Sequence, residues 1–116
     1  MIICAIDDLI FSIKISTAAK ALKADVYFER SADKLLETIR EKRPTLVIFD
    51  LNSARLRPLD AITALKQDPD FSATKTLGYV SHVDTGTIDA ARAAGIDQVM
   101  ARSAFVDQLG NILTSA

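Results

Sequence analysis

Short apolar runs recur along the chain with polar stretches between them: IICAI (2–6), DVYF (25–28), TLVIF (45–49), TLGYV (76–80) and QVMA (98–101). Each has the length of a strand, and a run that is apolar throughout suits a strand covered on both faces. The intervening segments carry helical periodicity instead. Ser31 is a plausible cap for a helix placing Ala32, Leu35, Leu36 and Ile39 on one face, with Pro44 beyond its end. Pro58 suits a first helical position, and Leu59, Ile62 and Leu65 continue that stripe toward QDPD. Ile88, Ala91 and Ala94 lead to Gly95, a C-terminal stop. Ser103 is expected to cap a last helix with Phe105, Leu109, Ile112 and Leu113 inward. The first helix, Ile10 to Lys23, has the weakest signature, because the β-branched residues of FSIKIST lower helix propensity.

Strands alternating with helices in this way predict a doubly wound α/β domain, a parallel sheet with helices on both faces. Right-handed crossovers leave few strand orders. In each of them, functional groups collect just beyond the carboxyl ends of the strands, where the order switches.

Composition narrows the classes of function. The 116 residues suit a single domain, and 49% hydrophobic with 25% charged residues is globular. With 14 basic against 15 acidic residues and no basic run, the chain offers no general nucleic-acid or membrane surface. The single cysteine, Cys4, lies within an apolar run and reads as a small buried hydrophobe. MIICAI is too short and lacks the basic start of a signal peptide, and no stretch is long enough to span a membrane, so a cytoplasmic protein is expected.

LVIFDLN (46–52) poses the chemical question: why does a buried strand deliver an acid, Asp50, to its end? A charge there is costly unless solvated, paired or metal-bound. Asp7 and Asp8 follow the first strand, Ser81 the fourth and Arg102 the fifth, so all can meet at one edge. Clustered carboxylates repel one another, and a hard oxygen-seeking ion such as Mg2+ would suit them. An arginine and a hydroxyl beside them suit the oxygens of a phosphoryl group. Each residue also has a plainer reading. An Asp pair after a strand commonly caps a helix, hydroxyls are frequent in such loops, and Arg102 taken alone is a solvated charge. His82, the one histidine, reads as an exposed loop side chain, as do Arg55 and Arg57. Val99 and Met100 read as ordinary strand residues.

On the anchors IDD (6–8), VIFDLN (47–52), YVS (79–81), AGID (94–97) and MARSAF (100–105), nearly the whole chain resembles the receiver domains of bacterial two-component response regulators. The resemblance implies a flavodoxin-like (βα)5 domain with strand order 2-1-3-4-5. It implies that Asp50 accepts a phosphoryl group from a histidine kinase or phosphotransfer protein. Asp7, Asp8, Asp50 and the backbone carbonyl of Asn52 would then hold Mg2+, and Ser81 would be the hydroxyl that follows the phosphate. Receivers also have a Lys-Pro pair where this chain has Arg102-Ser103, and often an aromatic residue where it has Val99. Arginine keeps the charge but replaces a compact ammonium with a planar fork. The loop LNSARLRPLD likewise carries Pro58 where receivers commonly have glycine.

The expected function is a stand-alone, atypical receiver that is not itself a turnover enzyme. With no effector domain in this length, it would signal through an unknown downstream protein. Its fourth helix, fifth strand and fifth helix would form the partner face, and a weak homodimer is compatible with the family. The alternative is a degenerate receiver serving as a phosphorylation-independent interaction module, with Arg102 locked on Asp50. An unrelated enzyme on the same fold finds no glycine-rich phosphate loop, Cys/His nucleophile pair or dinucleotide fingerprint here.

Overall fold

The computed structural model describes residues 1–81 and 84–116. Five strands, β1 (Ile2–Ala5), β2 (Val26–Phe28), β3 (Leu46–Asp50), β4 (Lys75–Val80) and β5 (Gln98–Ala101), form one parallel sheet in the order β2-β1-β3-β4-β5. Around it lie α1 (Leu9–Leu22), α2 (Ala32–Lys42), α3 (Pro58–Gln67), α4 (Thr85–Ala94), α5 (Arg102–Asp107) and α6 (Leu109–Ser115), with 3-10 turns at Ala54–Leu56 and Pro69–Phe71. The expected fold and strand order are both present.

Strand order dictates the layers. The β1→β2 crossover runs one way along the sheet and the next three run the other, so a constant hand puts α1 opposite α2, α3 and α4. The side chains obey this. Ile3, Ala5, Val47 and Phe49 pack with Leu35, Ile39, Ile62 and Ala91 on one face. Ile2, Cys4, Ile48 and Tyr79 pack with Phe11, Ile15, Phe105, Leu109 and Leu113 on the other. Cys4 is fully buried, as expected.

Helix ends follow local chemistry. Asp8 caps α1, accepting the Phe11 N–H at 3.0 Å, and Asp84 caps α4 by accepting from Thr87. Gly95 ends α4 in the left-handed region, at φ 100°. Ser31 occupies the cap position of α2, but its side chain makes no capping hydrogen bond. Arg57 precedes Pro58 at φ 47° and is exposed, as expected, pairing with the exposed Asp33 at 2.6 Å.

The last helix departs from expectation. It starts at Arg102, with Ala101 rather than Ser103 as its cap, and it breaks at Gln108, whose φ of −97° and ψ of 5° leave the helical region. The Gln108 N–H still donates to the Ala104 carbonyl, and the Ile112 N–H to Gln108, so the break bends the path without opening it. Phe105, Leu109 and Leu113 keep their inward positions on both sides of the bend.

Candidate functional site at the carboxyl edge

Asp50 is the last residue of β3 and pairs in register with Tyr79 of β4. Alternation along β3 turns its side chain to the face occupied by α1 and α5. The floor beneath it is aromatic. Tyr79 stacks on Phe105 with centroids 5.1 Å apart, and Phe11 lies 5.1 Å from Tyr79 and 5.9 Å from Phe105. The buried Tyr79 hydroxyl has no hydrogen-bond partner among the described residues. Burial chiefly, with the Asp50 charge next, pushes its pKa far above that of a free phenol.

Asp50 is half-buried. Its Oδ1 accepts the Asn52 N–H at 3.0 Å. Burial raises its pKa above the ordinary carboxylate value. The Asp7 and Asp8 charges add to that rise, while the Asn52 amide and Arg102 oppose it. The three acids therefore share one electrostatic site.

Asp8 is held quite differently. Its Oδ1 takes the Phe11 amide and its Oδ2 takes Arg102 Nη2 at 3.3 Å. Hydrogen bonding from Phe11, helped by Arg102, lowers its pKa. Arg102, the first residue of α5, also lays its guanidinium 4.0 Å over the Phe11 ring. The expected alternative pairing of Arg102 with Asp50 is thus corrected: among the described residues its ion pair is with Asp8. The planar fork reaches across to α1, and the ring beneath it favours that position.

Asp7 Oδ1 accepts from the Ser53 hydroxyl at 3.2 Å. Asn52 accepts the Ser81 N–H through its side-chain oxygen at 2.6 Å, tying the loop after β3 to the end of β4. This loop is seated by Leu51 over Gly78, where a Cβ would come within 2.6 Å of the Leu51 side chain. The structure thus gathers Asp7, Asp8, Asp50, Asn52, Ser81 and Arg102 at one edge. His82 lies outside the described residues. Ser53, Phe11 and Tyr79 also belong to this edge. Nothing in their spacing marks them, since each joins the site through tertiary contact.

The donors suit a hard divalent ion in kind: carboxylate oxygens and a carbonyl, with one oxygen each of Asp7 and Asp50 outside the hydrogen bonds of the described residues. Their arrangement is less open than expected. Among the described residues no three acidic, His or Cys side chains form a metal-holding group. Both oxygens of Asp8 are already engaged.

The face of α4, β5 and α5 expected to meet a partner carries none of the large exposed apolar side chains found among the described residues. Those are Leu9, Ile10, Ile13 and Leu22 on α1 and Tyr27 on β2. Among the described residues no helix is long and apolar enough to cross a membrane.

No family model and no curated protein matches the chain. Solved structures do. A response regulator from Hahella chejuensis superposes with a TM-score of 0.86 at 15% identity, covering 97% of this chain and 91% of its own. The receiver domain of the sensor histidine kinase PA1611 from Pseudomonas aeruginosa, with a magnesium ion coordinated in its active-site cleft, gives 0.83 at 14% identity, over 98% and 93%. The chemotaxis response regulator CheY4 of Vibrio cholerae gives 0.82 at 13%, over 98% and 95%. At such identities the likeness is one of architecture, and it spans nearly the full length of each chain. The chain has the fold of the response regulator receiver domains.

Proposed function

We propose that this protein acts in two-component signalling as a cytoplasmic receiver that accepts a phosphoryl group on Asp50. The observation that carries this reading is the position of Asp50: a half-buried carboxylate at the carboxyl end of β3, beside the switch in strand order, with Asp7, Asp8, Ser81 and Arg102 around it. The donor would be a phosphohistidine on a histidine kinase or phosphotransfer protein. An Asp50 oxygen attacks phosphorus, the P–O bond forms as the P–N bond breaks, and the electron pair returns to the imidazole nitrogen. The protein would serve as an acceptor, without turning over a free substrate.

Asp7, Asp8, Asp50 and the Asn52 carbonyl would hold Mg2+, which supplies positive charge against the phosphoryl oxygens. Asp50 is the nucleophile, and Asn52 orients it through the amide on Oδ1. Ser81, whose N–H is held by Asn52, would supply the hydroxyl that follows the new charge. Such movement would alter a protein-binding face and pass the signal to a downstream partner. The degenerate alternative required Arg102 locked on Asp50, and the Arg102–Asp8 pair does not favour it.

Intact-mass spectrometry after incubation with acetyl phosphate, with and without Mg2+, tests this directly. A single phosphoryl adduct that depends on Mg2+, is removed by hydroxylamine and is absent from Asp50→Ala is expected. A folded wild-type protein that takes up no phosphoryl group would overturn the proposal.

A further inference from the structure

Arg102 is braced from several sides. Its backbone begins α5, its guanidinium lies 4.0 Å above the Phe11 ring, and its Nη2 donates to Asp8 Oδ2 at 3.3 Å. Phe11 cannot easily move from beneath it, being buried and packed against Tyr79 and Phe105. Phe105 belongs to the same helix as Arg102 and packs against Phe11, so α5 supplies both the cation and one wall of its seat. Asp8 is held equally firmly, because its other oxygen caps α1. A guanidinium stays charged at any ordinary pH. The carboxylate cluster therefore already contains a cation, attached to the chain.

With Oδ1 committed to the cap of α1, a divalent ion bound through Asp8 would compete with Arg102 for Oδ2 and would meet a fixed positive charge beside it. The geometry points to Arg102 as a tethered competitor for Asp8: it satisfies the site in the absence of metal, and the ion enters only by displacing the guanidinium. Arg102 would thus be a positioning residue that sets metal affinity, with Phe11 as its seat. This inference rests on the proposed use of Asp8 as a metal ligand.

Mn2+ titration of the full chain, following the free-ion signal by electron paramagnetic resonance, tests it. Arg102→Met keeps an unbranched stem over Phe11 and removes the charge. It should bind Mn2+ at least ten-fold more tightly than wild type, whereas Arg102→Lys should fall between the two. Equal or weaker binding by Arg102→Met, or no binding by either protein, would overturn the inference. Wild-type protein supplies a second measurement should that variant not fold. Adding Mg2+ should shift the Arg102 Nε–H resonance as the guanidinium leaves Asp8, and an unmoved resonance at metal saturation would equally overturn the inference. The acetyl phosphate adduct separates the two readings. An adduct on wild type without tighter metal binding by Arg102→Met removes only the competitor role. Absence of adduct from both proteins removes the acceptor role itself.

Discussion

Asp50 sits over apolar rings with two other acids nearby, and its raised pKa records that cost. For a carboxylate raised in the folded state, the cost is absent below the unfolded pKa, where both states are protonated. It develops as pH rises from the unfolded to the folded value and is complete above the latter. Asp50→Asn removes the charge while keeping an oxygen for the Asn52 amide. Its melting temperature should exceed that of wild type by a few degrees at neutral pH, with the difference vanishing toward about pH 3, below the usual carboxylate range. Calorimetry across that range checks the sign, and a less stable variant at neutral pH would contradict it. Asp8 shows the opposite case. Its lowered pKa marks a charge the fold stabilises, through Phe11 first and Arg102 second. Neighbouring acids thus take different roles because one faces burial and the other faces donors.

At the level of elements, the loop after β3 depends on β4 carrying no side chain at Gly78. Leu51 fills that place, with Ile96 also close, and Leu51 anchors the turn that presents Asn52. Gly78→Ala would put a Cβ at 2.6 Å from Leu51 Cδ1 and 2.9 Å from Ile96 Cδ1, so both must shift. Overpacking of this kind costs about 1–3 kcal/mol. Urea unfolding should show that loss, and the Ser81 amide resonance should move with it, because Asn52 holds that N–H. Unchanged stability would mean that Leu51 repacks freely. The bend at Gln108 has a gentler consequence: it keeps Phe105 and Leu113 on one core face although the helix is interrupted.

For the whole molecule, β1 lies inside the sheet between β2 and β3, and Cys4 is at its centre. Burial pushes the Cys4 thiol up to about 12. The thiolate is therefore scarce at neutral pH, and no reagent reaches it in the closed fold. Labelling by a thiol reagent should be slow in native buffer and accelerate through the same urea range in which circular dichroism reports unfolding. Prompt labelling would mean that β1 opens locally without the rest of the sheet.

Strand positions, most helix ends and the acids at the strand ends were legible in the sequence, because apolar runs, caps and glycine stops are written within a few neighbouring residues. A parallel sheet with both faces covered follows from their alternation, and its geometry sends Asp7, Asp8, Asp50, Ser81 and Arg102 to one edge. Partnerships at that edge are another matter. Arg102 meets Asp8 across 94 positions of sequence and Ser53 meets Asp7 across 46. Phe11, Tyr79 and Phe105 become a floor only after three separate elements pack together. Side-chain identity determined which charges this protein has. Only the tertiary structure decided which pairs form, because ion pairing depends on distances of a few ångströms set by packing.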